Sequence, residues 1–80
     1  SMTIYLKFDT PEQAAAALVA AGFTVSESGD SAQRGGAWAV LFGIPHVDGW
    51  HVNIRDCGDI PELSAFEIPA PATPYNVRFR

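Results

Sequence analysis

One cysteine, Cys57, is all that this 80-residue chain contains, so no intrachain disulfide can staple it. A domain this short buries only about 60% of the surface its unfolded chain exposes, which leaves its stability marginal. A solitary thiol accords with a reducing compartment and excludes the disulfide frameworks of small secreted domains. No apolar run approaches the roughly 20 residues that a membrane-spanning helix requires. The N-terminus has no charged segment followed by an apolar one, so no secretory leader is expected. Ser1 before Met2 reads as the remnant of a cleaved tag, with Met2 as the native start. The expectation is one soluble, cytoplasmic domain over residues 2–80. Positive charge is scarce as well: five Lys and Arg face nine Asp and Glu, a net charge of −4. Proteins that bind nucleic-acid backbones present a basic excess, so nucleic acid is not the expected partner. The acids are scattered rather than set in dense rows, and they serve solubility better than mimicry of DNA.

Signatures of catalysis are equally thin. The chain has no glycine-rich phosphate loop, no nucleophile elbow and no paired-carboxylate constellation. Cys57 and His51 lie six residues apart, roughly 20 Å along an extended strand, too far for a nucleophile and its base. Asp56 and Asp59 flank Cys57-Gly58 as turn residues do. The expectation is a non-enzyme without a cofactor. A small metal-dependent or thiol enzyme is the competing class.

What is present is pattern. In Met2–Phe8 (MTIYLKF), Ile4, Leu6 and Phe8 alternate with Tyr5 and Lys7, which predicts a strand with one buried face. Thr10-Pro11-Glu12-Gln13 is a helix start: Thr10 as N-cap, Pro11 at the first helical position and Gln13 completing a capping box. The run AAAALVAA favours helix, and Gly22 suits its left-handed end. Leu18 and Val19 are expected to flank the buried stripe. Phe23–Glu27 predicts a second strand, and the polar Ser28–Gly36 a loop. Ala37–Val47 reads as a long central strand and Trp50–Asp56 as its alternating neighbour. A short helical turn is expected over Ile60–Phe66, a proline-rich surface strap over Ile68–Pro74 and a last edge strand over Tyr75–Phe79. The fold class is α+β: a single helix on a mainly antiparallel sheet of four or five strands, opening β-α-β.

Asp48-Gly49 between two strand-like runs is a hairpin signal, because both residues tolerate the positive φ of a type I′ turn. Counting from that turn opposes Val47 to Trp50, His46 to His51, Ile44 to Asn53 and Phe42 to Arg55. Opposed residues share a face, with Cβ atoms roughly 5 Å apart. Leu41, Val47, Trp50, Val52 and Ile54 then face the helix. Trp38, Phe42, Ile44, His46, His51, Asn53 and Arg55 occupy the other face, which one helix cannot cover. Exposure of Trp38, Phe42 and Ile44 would create an apolar patch of several hundred square ångströms, the size at which a monomer becomes a binding protein. These seven residues are the candidate protein-binding site, for another protein or a second copy. The alternative is that Pro69–Tyr75 roofs the face.

His46 and His51 supply two cross-strand imidazoles, with Asp48 nearby, but a zinc site needs three or four well-placed ligands. No metal site is therefore assigned. Lys7, Arg55, Arg78 and Arg80, with Tyr5, Trp38 and Phe42, sketch an RNA-binding sheet surface, but outward cations on strands more often guard edges against aggregation.

MTIYLKF ahead of an alanine-rich helix, then GWHVNIRD, IPEL and a closing ATPYNVRF, resembles small uncharacterised proteins of tailed bacteriophages and prophages. The likeness spans most of the chain and rests chiefly on Gly49–Arg55 and Thr73–Phe79. It implies no activity, cofactor or catalytic residue. It does imply a phage-encoded accessory protein, cytoplasmic in the infected bacterium, from a group often encoded among late structural or lysis genes. With the apolar face, it predicts a non-enzymatic protein acting by protein–protein binding, in virion or tail assembly or as a host-directed factor. An inhibitor of a bacterial defence complex is the alternative.

Overall fold

The computed structural model of the chain describes residues 2–41 and 48–70. The elements follow in the order β1 (Met2–Phe8), α1 (Pro11–Ala20), β2 (Thr24–Val25), β3 (Ser31–Arg34), β4 (Ala37–Val40), β5 (Trp50–Cys57), a 3-10 helix (Pro61–Phe66) and β6 (Glu67–Ile68). The fold is α+β, with one main helix packed on an open six-stranded sheet ordered β2-β3-β4-β5-β1-β6. Every paired neighbour is antiparallel, so β1 and β2 run in the same direction and α1 connects them in a β-α-β opening. The sheet exceeds the expected four or five strands because it gains β3 and the two-residue β6.

β1 forms where alternation places it. Ile4, Leu6 and Phe8 are buried, and they pair across to Ile54, Val52 and Trp50 of β5. The helix begins as its sequence dictates. The Gln13 N–H donates to Thr10 Oγ1 at 3.1 Å, and the Asp9 N–H donates to Gln13 Oε1 at 2.7 Å. The reciprocal bond thus lands one residue before the cap, and two donors are still satisfied. At the other end, the Phe23 N–H reaches Leu18 O and the Gly22 N–H reaches Val19 O, with Gly22 at φ +91°. Those two bonds make a Schellman ending, which requires the left-handed conformation that glycine adopts without penalty. Arg34 adds a third tie, donating from Nη1 to Ala21 O at 2.7 Å, with its guanidinium 5.6 Å from the Phe23 ring centre. Thr10→Ala should cost about 1 kcal/mol and lower Tm by roughly 4–8 °C in thermal denaturation followed by circular dichroism.

Ala14 and Leu18, one helical turn apart, are the buried residues of α1, whereas Val19 is exposed. The expectation that Leu18 and Val19 both border the buried stripe is corrected. Adjacent helical residues point about 100° apart, so Leu18 alone faces the sheet.

The segment Ser28–Gly36, expected as a loop, contains β3. It pairs with β2 through Thr24–Gln33 and Val25–Ala32, and with β4 through Ser31–Val40, Ala32–Ala39, Gln33–Trp38 and Arg34–Ala37. Gly35-Gly36 is the two-residue turn of the β3–β4 hairpin. Ser26 organises the preceding bend, its Oγ accepting from the Ser31 N–H at 3.2 Å and its O from the Gly29 N–H at 2.9 Å. β3 is polar because Ala32 is its only buried residue.

β5 carries a bulge. Ile54 pairs with Ile4 and Cys57 with Met2, so Arg55 and Asp56 together oppose Thr3. Asp56 takes φ +55°, in the left-handed region that Asp tolerates better than most non-glycine residues. The extra residue reverses the alternation, so Ile54 and Cys57 both turn inward. Ile60, just before the 3-10 helix, and Leu63 within it close the core, and the Phe8 and Phe66 rings meet with centroids 4.6 Å apart. Among the described residues, no helix is long and apolar enough to cross a membrane.

Candidate functional site

The ladder between β4 and β5 decides what the outer face presents. Trp38 opposes Arg55 and Ala39 opposes Ile54. The count from Asp48-Gly49 opposed Arg55 to Phe42, and this is corrected: the register is displaced by four residues. A two-residue connection would join the strands directly, whereas nine residues, 41–49, separate the end of β4 from the start of β5. Gly43 and Pro45 lie in that connection, and neither residue type favours a regular ladder. The expected pairs of Val47 with Trp50, His46 with His51 and Ile44 with Asn53 lie outside the described residues, as do the strand at Tyr75–Phe79 and the strap beyond Ala70. Gly49 does adopt a turn conformation, φ +79°, and a Cβ there would stand 3.0 Å from Phe8 O.

A displacement of four leaves side-chain sidedness unchanged, because strand side chains repeat every two residues. Leu41, Val52 and Ile54 are therefore buried on the helix side, as expected. Trp38 and Arg55 share the outer face, with Gln33 on the far side of Trp38. Trp38 is 39% exposed, one of three large exposed hydrophobic residues among those described. Arg55 and His51 are half-buried. Phe42, Ile44 and His46, the other three members of the candidate set, lie outside the described residues.

Asn53 occupies the same face, opposite Tyr5, but it is 2% exposed and therefore enclosed rather than presented. Its Nδ2 has no hydrogen-bond acceptor among the described residues. A buried donor without a partner costs about 1–3 kcal/mol. Asn53→Leu keeps similar bulk and removes that donor, so the variant should be more stable. The expected gain is at least about 1 kcal/mol, read as a higher urea midpoint at unchanged slope. A lower midpoint would show that the amide is satisfied.

At the turn end of β5, His51 Nε2 lies 2.8 Å from Asp48 O, and Lys7 Nζ lies 3.3 Å from Asp48 Oδ2. The Lys7–Asp48 pair is solvent-exposed and contributes little to stability. Asp48 thus holds neighbouring groups through both its main chain and its carboxylate. Among the described residues, no group of three or more His, Cys, Asp or Glu is arranged to hold a metal ion.

Cys57 is buried, and its Sγ donates to Met2 O at 3.6 Å and to Ile54 O at 3.5 Å. Burial is the main cause that pushes its thiol pKa up. Backbone hydrogen bonding at Ile4 and Cys57 opposes the shift, and the Asp56 and Glu67 carboxylates add to it. A raised pKa in the fold means that the thiol's contribution to stability is full below its unfolded value and is lost as pH rises through the folded value. Iodoacetamide at pH 8 should therefore label the native protein far more slowly than the urea-unfolded chain, with mass spectrometry as the readout. Equal rates would contradict an enclosed, protonated thiol.

A separate open cavity of about 240 Å³ lies beside the 3-10 helix, lined by Asp59, Ile60, Pro61, Ser64 and Glu67. It is smaller than the roughly 300–1,000 Å³ typical of small-molecule sites. Sequence reasoning did not single out the Gln33–Trp38–Arg55 row, because Gln33 lay in a segment read as loop. The Gly35-Gly36 pair was the signal that could have revealed its strand.

No family model, no curated protein and no solved structure matches the chain.

Proposed function

We propose that the chain is a non-enzymatic, phage- or prophage-encoded accessory protein that acts by binding another protein, in virion or tail assembly or on a host target. The observation that carries the reading is Trp38. It is a large aromatic side chain, 39% exposed, standing on the sheet face turned away from α1 in a cross-strand row with Gln33 and Arg55. Tryptophan and arginine are the residue types that most often dominate binding energy at protein interfaces. The sheet beneath holds them on fixed backbone, so little ordering entropy is lost on docking. The phage assignment is supported by the likeness of Gly49–Arg55 and the chain's closing segment to small phage proteins.

The test combines light scattering of the purified protein with affinity capture from infected or lysogenic bacteria. A dimer would make the partner a second copy. A monomer that retains one phage or host protein in constant proportion would make it heterologous. A monomer that captures nothing in either extract would overturn the binding role.

A further inference from the structure

We draw no further inference here: the strongest candidate, the outer sheet face around Trp38, Asn53 and Arg55, already belongs to the proposed docking surface, and nothing in the structure shows what covers the enclosed Asn53 end of it.

Discussion

Phe8→Ala is expected to cost about 3–5 kcal/mol, the usual range for emptying a buried phenylalanine site. Phe8 is the largest fully buried side chain among the described residues, at the end of β1 where β5, the 3-10 helix and Phe66 converge. A chain of 80 residues has a total stability of only about 4–12 kcal/mol at 0.05–0.15 kcal/mol per residue. The substitution therefore removes a quarter of that stability at the least, and nearly all of it if the domain sits at the low end. With no disulfide to hold the denatured chain together, nothing offsets the loss. Phe8→Leu refills part of the space and should recover most of the stability. Urea titrations of both variants read the outcome directly. An alanine midpoint close to wild type would mean that Phe8 is not the packing centre described above.

Much of this fold was legible in the sequence, and the legible parts have a common cause. β1, the start and end of α1, β5 and the 3-10 turn each carry a strong local signal: strict alternation, a capping sequence, a helix-ending glycine or a turn cluster. β3 carries only one local signal, the Gly35-Gly36 turn that follows it. Its only buried side chain is the small Ala32, and its outward Ser31 and Gln33 have the composition of a loop. Only pairing on both sides, with β2 and with β4, makes it a strand, and pairing between segments distant in sequence is invisible to a local reading. The bulge at Arg55–Asp56 escaped for a similar reason, since it appears only against β1.

The candidate site illustrates both outcomes. Counting from Asp48-Gly49 puts Trp38 and Arg55 on one face despite a register four residues out, because an even displacement preserves parity. A displacement of one or three would have turned Trp38 into the core. Asn53 was grouped with them by the same parity, yet it is enclosed, because alternation reports which way a side chain points and not what lies over it.

Trp38→Asp has the second large expected effect, and it falls on binding. A tryptophan at the centre of an interface typically contributes 2–4 kcal/mol, so loss of its indole should weaken partner binding by roughly 30- to 1,000-fold. Stability should change little. Trp38 lies at the surface, and an aspartate there would stand opposite Arg55, a cross-strand pairing of opposite charges worth about 0.2–1 kcal/mol.

The most direct test of a docking role for this face is a paired measurement on wild type and Trp38→Asp: the amount of partner each retains, and the Tm of each. The variant should lose the partner while melting within about 4 °C of wild type. Equal retention by both proteins would contradict it, and so would a collapse in Tm that places the Trp38 indole among the residues holding the domain together.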